Sequence, residues 1–153
     1  MEETNTTEKT QNSSNEAIIQ RFKKEREEWR DKITDMSERL RDIHNLSDLL
    51  TDLYSSRQIS VEYTHTLMAH LTRVNKVFRE RKVERFNHYT RDYDLRLDKD
   101  FKYEHIYVDL GELVERRDLL QNHLEYFRET VRTIDNICFG IKHRMSLEEY
   151  RRG

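Results

Sequence analysis

The sequence contains no proline and only three glycines among its 153 residues. Compact β and α/β domains of this length need many turns, and turns rely heavily on these two residue types. Their near absence favours a few long helices. Hydrophobic residues make up 35% of the chain and charged residues 38%. That apolar content is low for a globule but suits helices that each bury only a narrow stripe.

Cysteine and long apolar runs are also scarce. The single cysteine, Cys138, excludes an intrachain disulfide and a paired-cysteine metal site, and we expect it to be a small buried hydrophobe. No apolar run is long enough to span a bilayer, and residues 1–17 lack the apolar core of a signal peptide. We therefore expect a soluble, cytoplasmic protein with no membrane partner.

Motifs of catalysis and metal binding are missing as well. The sequence has no glycine-rich phosphate loop, no GxSxG or HExxH motif and no EF-hand loop. Its seven histidines are scattered, and His65 and His70 have no further partner at metal-ligand spacing. We expect a protein that is not an enzyme and that holds neither a metal nor a cofactor.

The clearest pattern that is present is a heptad stripe over residues 103–141. Alternate steps of three and four residues meet apolar or aromatic side chains at every position but one, which is typical of a helix that buries one stripe against other helices. The stripe consists of Tyr103, Ile106, Leu110, Leu113, Arg117, Leu120, Leu124, Phe127, Val131, Ile134, Cys138 and Ile141. A lone helix of this kind is marginal in water, so it needs helical partners.

The rest of the chain divides into further segments. Residues 1–15 are polar and without periodicity, which predicts a disordered tail, and residues 16–153 are expected to form one helical domain. Ser14 and Asn15 are candidate caps for a helix that begins near residue 16 and runs to about residue 54.

Two connections are predicted between the helices. Residues 55–58 are expected to be a short turn into a helix over 59–92, and short turns imply antiparallel neighbours, a helical hairpin. Residues 94–102 are expected to be an exposed connection before the last helix, which begins at 103–109. Residues 101–108 also alternate with the period of a strand, so this boundary stays open.

One stretch, residues 73–91, combines positive charge with aromatic side chains. Its seven Lys and Arg residues and two Glu residues give seven minus two, a local charge of +5 in a chain of net charge −2. Basic groups that contact phosphates, together with aromatic faces on which bases stack, are what single-stranded DNA binding requires. The candidate DNA-binding residues are Arg73, Lys76, Arg79, Arg81, Lys82, Arg85, Phe86 and Tyr89, with a secondary patch at Lys142, His143 and Arg144. The alternative is a solvated helix face whose aromatic side chains turn into the core.

The last helix contains a distinctive series of short motifs: Glu125-Tyr126-Phe127-Arg128-Glu129, Val131, Ile134-Asp135-Asn136, Phe139-Gly140-Ile141-Lys142-His143 and Tyr150. This series resembles the C-terminal part of phage UvsY-type recombination mediators, and the order of parts is similar over residues 40–153. In the basic helix, Arg85 and Tyr89 match the family pattern, whereas Val83 stands where the family tends to carry lysine.

The resemblance implies a non-enzymatic mediator in the cytoplasm of an infected bacterium. Such proteins form rings of about six or seven subunits, bind single-stranded DNA and help a RecA-like recombinase replace single-strand binding protein on it. In that reading Arg117 either fixes the register of the seam between subunits or extends to its edge. The residues assigned to oligomerisation are Leu113, Arg117, Leu120, Leu124, Phe127, Val131, Ile134, Cys138 and Ile141.

The fold class predicted from these observations is all-α: long helices in a hairpin arrangement, with heptad-type packing, assembling as a homo-oligomeric ring. The rival interpretation is a coiled-coil scaffold or assembly protein that binds only protein partners. It shares the helices and the oligomer but has no affinity for nucleic acid.

Overall fold

The computed structural model describes the backbone of residues 3–92 and 97–153, with side chains from residue 14 onward in those ranges. The described residues are almost entirely helical and contain no strand, which confirms the predicted all-α class. None of the helices that the described residues form is both long enough and apolar enough to cross a membrane. The helices are α1 (Glu3–Arg39), α2 (Leu46–Arg91), α3 (Lys99–Asp109) and α4 (Gly111–Arg152), and a 3-10 turn covers Ile43–Asn45.

The first connection lies at residues 40–45, so the prediction of a turn at 55–58 was wrong. Asp42 precedes the 3-10 turn and accepts a hydrogen bond from the backbone N–H of His44 at 3.1 Å. A short acidic side chain in this position satisfies a backbone donor that would otherwise be unpaired. The next turn therefore begins at Asp42, whereas the serine pair further along lies inside α2.

Helix α2 continues through residues 55–58, where one side chain is buried and another binds a neighbouring helix. Ser56 is buried, and Arg57 donates to Asp135 of α4, with Nε 2.6 Å from Oδ1. No glycine or proline interrupts the run, so the backbone has no reason to leave the helical conformation. Serine here lets the helix approach its neighbours closely instead of ending it.

Helix α1 begins at Glu3, well before the predicted start near residue 16. Ser14 and Asn15 therefore lie inside the helix and are not its caps, which corrects that assignment. Asn15 is buried, and its Nδ2 donates to the carbonyl of Glu112 at 3.1 Å and to Oε2 of Glu115 at 2.8 Å. The disorder of residues 1–15 stays a prediction, although the backbone described from residue 3 is helical.

The last heptad stripe does not lie on one helix. The chain turns at Leu110, so that Tyr103 and Ile106 belong to α3 and the stripe from Leu113 onward belongs to α4. Asp98 caps α3 by accepting from the N–H of Lys99, which starts this helix within the predicted connection. Residues 93–96 lie outside the described residues, and with them the first part of that predicted connection, residues 94–96.

The chain groups into two compact units, and α1, α2 and α4 contribute residues to both. Unit 1 combines the chain up to Gln20 with Leu67–Asn122, and unit 2 combines Arg21–Thr66 with His123–Gly153. The apolar cluster of unit 1 contains Phe78, Ile106 and Leu110, flanked by Phe86, Tyr89, Tyr103, Leu113 and Val114. The cluster of unit 2 contains Met36, Leu46, Leu49, Leu53, Ile134, Cys138 and Ile141.

Unit 2 also contains a buried polar and aromatic cluster. His123 is fully buried and stacks on Phe22, with ring centroids 3.8 Å apart. Its Nε2 lies 2.8 Å from Oε2 of Glu25, and the hydroxyl of Tyr63 donates to the same oxygen. Phe127, also fully buried, meets the Tyr63 ring edge to face at 4.7 Å. These contacts join α1, α2 and α4 through one group of side chains.

Candidate nucleic-acid interface

The basic stretch 73–91 lies on the part of α2 that belongs to unit 1. Because a helix turns by about 100° per residue, its cations point in several directions. Five of the predicted DNA-binding residues are exposed: Arg73, Lys76, Arg79, Arg81 and Arg85. The other three, Lys82, Phe86 and Tyr89, are half-buried.

Among the described residues, three of the exposed cations have no carboxylate partner. No Asp or Glu oxygen there lies within 4.0 Å of the guanidinium groups of Arg73, Arg79 or Arg81. Lys76 lies 3.9 Å from Glu80 one helical turn away, an exposed pair of the kind that contributes little. Helix α2 therefore keeps exposed positive charge that can bind an anion, on more than one side of the helix.

Lys82 and Arg85 instead face α3. The Nζ atom of Lys82 lies 5.1 Å from the ring centroid of Tyr103 and 5.6 Å from that of Tyr107. Arg85 Nε lies 3.7 Å from Oδ2 of Asp109. Arg85 thus has its charge partly offset within unit 1, whereas Lys82 lies over two neutral rings and has no carboxylate within 4.0 Å among the described residues.

Phe86 and Tyr89 pack against the apolar cluster of unit 1. The ring centroid of Phe86 is 5.7 Å from that of Tyr103, and the hydroxyl of Tyr89 donates to Asp109 at 2.7 Å. Both rings therefore turn toward the core, as in the alternative interpretation of this stretch. Their role in base stacking stays a prediction.

A groove of about 640 Å³ opens beside α2, within unit 1. Its lining includes Arg73, Arg81 and Arg116, but also Asp109, Glu112 and Glu115. Three basic and three acidic side chains leave the groove with no net formal charge. Arg73 and Arg81 therefore border acidic side chains on this side of α2, whereas Arg79 is not among the residues that line the groove.

The residues assigned to oligomerisation pack within their own chain. Leu113 contacts the apolar cluster of unit 1, and the guanidinium carbon of Arg117 lies 5.3 Å from the centre of the Phe78 ring. Val131 is half-buried. Six members are buried: Leu120, Leu124, Phe127, Ile134, Cys138 and Ile141. Their apolar surface is covered in a single chain, and their role between subunits stays a prediction.

Cys138 is buried in the cluster of unit 2, as expected of a small hydrophobe. Burial, and to a smaller extent the nearby carboxylate of Asp135, raises the pKa of its thiol. A thiol that stays protonated is a poor nucleophile and a poor metal ligand.

The secondary patch is partly engaged in unit 2. A hydrogen bond to Tyr54 raises the pKa of Lys142, whose Nζ lies 5.4 Å from the Tyr54 ring centroid. Arg144 donates to the carbonyl of Leu40 at 3.0 Å. Both keep their charge because their partners are neutral, while His143 is exposed.

The sequence reasoning missed two residues of this region, Tyr107 and Asp109. Tyr107 was part of the alternating pattern over 101–108, and only the helical geometry of α3 brings it beside Lys82. Asp109 was one acidic residue among many, and its contacts with Arg85 and Tyr89 depend on the packing of α2 on α3.

No group of three or more His, Cys, Asp or Glu side chains suited to a metal ion occurs among the described residues. Comparisons with protein-family models, with curated protein sequences and with solved structures gave no match to this chain.

Proposed function

We propose that this protein binds single-stranded DNA as a homo-oligomer and acts as a recombination mediator, helping a RecA-like recombinase replace single-strand binding protein. The observation that carries the DNA-binding part is a set of exposed arginines on α2. There Arg73, Arg79 and Arg81 are exposed, without a carboxylate within 4.0 Å among the described residues. Free cations of this kind release counterions from a phosphate backbone and give salt-dependent affinity.

The mediator role rests on the resemblance of residues 40–153 to the phage mediators. The proposed RecA-like partner, the location in the host-cell cytoplasm and the ring of six or seven subunits rest on the same resemblance. Repetition of the α2 arginines around a ring would multiply weak contacts along one strand. The patch on a single chain is small, so the proposed affinity depends on assembly.

A hairpin arrangement of the helices is supported by contacts within unit 2. Arg57 of α2 contacts Asp135 of α4, and Tyr63 further along α2 contacts Phe127, which comes earlier in α4. Residue numbers rise on one helix as they fall on the other, as in antiparallel neighbours with heptad-type packing.

Contacts between copies would use side chains that one chain leaves exposed. On α4 these include Phe139, Leu147 and Tyr150, which are 75%, 49% and 87% exposed. Spacings of eight and eleven residues from Phe139 put all three on one side of the helix. We assign this stripe to subunit contacts in the proposed oligomer, while the role of the buried seam between subunits stays a prediction.

The rival function, a scaffold that binds only protein, uses the same helices and the same exposed stripe. The two are separated by fluorescence anisotropy of a labelled oligo-dT across a salt series, with duplex DNA as competitor. The mediator proposal expects binding that weakens steeply with salt and resists the duplex. A folded oligomer that does not bind at low salt would overturn it in favour of the scaffold.

The mediator step itself needs a second assay. Oligo-dT is first covered with single-strand binding protein, and a RecA-like recombinase is then added with or without this protein. We expect faster recombinase loading in its presence. DNA binding without any effect on loading would leave a DNA-binding protein but contradict the mediator role.

A further inference from the structure

One exposed aromatic side chain lies next to the basic face of α2. Tyr107 of α3 is 45% exposed, whereas Phe86 and Tyr89 pack into the cluster of unit 1. The Nζ atom of Lys82 lies 5.6 Å from the centre of the Tyr107 ring. An aromatic surface and an uncompensated ammonium group are thus neighbours on the outside of unit 1.

Buried Phe78 lies behind the Tyr107 ring. The Tyr107 ring centroid is 6.0 Å from that of Phe78, and the guanidinium carbon of Arg117 is 5.3 Å from the Phe78 centroid. Arg117 thus contacts Phe78, and it is also paired with Asp118 at 3.3 Å. Lys82 is therefore the cation that lies over the Tyr107 ring.

We propose that Tyr107 is the site on which a base of single-stranded DNA stacks, with Lys82 contacting a neighbouring phosphate. This inference rests on the proposed single-strand binding and names the residue that supplies its stacking contact. Every base has a face that can stack on tyrosine, which makes such a contact tolerant of sequence. Duplex DNA keeps its bases stacked on each other, so the same contact favours single strands.

The charge around the ring selects nucleic acid as the occupant. Lys82 has no carboxylate within 4.0 Å among the described residues, and Arg79 lies within one helical turn of it on α2. An apolar or acidic protein surface would leave the aromatic ring or these cations without suitable partners. A strand that alternates bases with phosphates satisfies both.

Phe101 on the same helix provides a matched control. It is 52% exposed, similar to Tyr107, but its ring neighbour is His105 at 4.9 Å. None of the described Lys or Arg side chains lies over its ring, in contrast to Tyr107. Replacement of either residue by alanine removes a similar exposed aromatic group from α3.

The test compares wild type, Tyr107→Ala, Tyr107→Trp and Phe101→Ala in the full chain, by anisotropy of labelled oligo-dT and of an abasic oligonucleotide of equal length. We expect Tyr107→Ala to weaken oligo-dT binding on the order of 10- to 100-fold, the typical loss of one stacked base. Tyr107→Trp retains the affinity and Phe101→Ala leaves it unchanged. All four proteins bind the abasic strand alike, because Tyr107 makes no phosphate contact.

Each of the following outcomes would contradict the stacking site. If wild type binds oligo-dT and Tyr107→Ala binds it as well as Phe101→Ala does, the stacking site is overturned while single-strand binding stands. Equal losses on oligo-dT and on the abasic strand would likewise contradict stacking. If wild type binds neither oligonucleotide, single-strand binding is overturned and the stacking site with it. Should Tyr107→Ala fail to fold by circular dichroism, a weakened Tyr107→Trp on oligo-dT alone would count against the proposal.

Discussion

The Nε2 atom of His123 lies 2.8 Å from Oε2 of Glu25, inside unit 2 and out of contact with solvent on the histidine side. The other ring nitrogen, Nδ1, faces NH1 of Arg26 at 3.4 Å. Since a guanidinium can only donate, Nδ1 has to accept, and the ring proton has to be on Nε2. The two neighbours together fix which nitrogen carries the proton in the neutral ring.

This arrangement predicts a pH-dependent stability. Burial lowers the pKa of His123, and the hydrogen bond to Glu25 offsets this only in part. Below about pH 6.5 the unfolded chain binds a proton that the folded chain does not, so the free energy of unfolding falls as the pH decreases from 7 toward the lowered pKa. Urea unfolding at pH 7.5, 6.5 and 5.5 measures this.

His123→Gln is the variant that isolates the effect, because an amide can replace both hydrogen bonds without titrating. We expect its stability to change less between pH 7.5 and 5.5 than that of wild type. An unchanged difference between the two pH values would mean that other groups titrate and that His123 does not contribute.

A second prediction concerns Phe127. It is fully buried and meets the rings of Trp29 and Tyr63 edge to face, at 5.7 and 4.7 Å. Phe127→Ala should lower the free energy of unfolding by about 3–5 kcal/mol, the usual cost of this truncation in a core. Phe139→Ala, on the exposed side of the same helix, should change the stability of the single chain by less than about 0.5 kcal/mol.

The concentration dependence of the Phe127→Ala effect separates two roles for this residue. Packing within one chain predicts the same loss at every protein concentration, whereas a subunit interface predicts a loss that varies with concentration. A folded Phe127→Ala monomer, seen by light scattering and circular dichroism, would support the sequence-based assignment to oligomerisation.

A third prediction concerns the start of the chain. Arg116 Nε donates to Oδ1 of buried Asn15 at 3.0 Å, and the amide of Asn15 donates to Glu112 and Glu115. Asn15→Ala removes these hydrogen bonds, each worth about 0.5–1.5 kcal/mol. We expect faster amide hydrogen exchange in the first turns of α1 and faster proteolysis there. Gln20→Ala, which loses only an exposed contact with Glu16, is the control and should behave as wild type.

The sequence predicted well what depends on periodicity. The stripe of Leu124, Ile134 and Ile141 follows from heptad spacing alone, and all three side chains are buried. Heptad spacing is the same whether such a stripe packs against another chain or against its own chain, so the spacing does not identify the partner. This is why the stripe was assigned to subunit contacts although the chain itself can cover it.

The positions of the connections between helices depend on side-chain contacts that amino-acid composition does not reveal. Residues 55–58 contain polar residues typical of turns, yet Ser56 is buried and Arg57 binds Asp135. The actual turn contains Asp42, whose capping role was a readable signal within a run of other charged residues. The candidate nucleic-acid interface likewise depended on α3. Only the packing of this helix shows that Phe86 lies against the apolar cluster and that Tyr107 is exposed.

The central claim is that the outer cations of α2 contact phosphates, and the salt dependence of binding tests it most directly. The variant Arg73→Ala/Arg79→Ala/Arg81→Ala is compared with Lys23→Ala/Arg30→Ala/Arg132→Ala, which loses the same charge from exposed positions of unit 2. For oligo-dT, the slope of log Kobs against log salt should become shallower by about 2 in the α2 variant, since each phosphate contact contributes about 0.7. The control should keep the wild-type slope. Equal slopes in all three proteins, or equal changes in both variants, would contradict the claim that DNA binds at the α2 face.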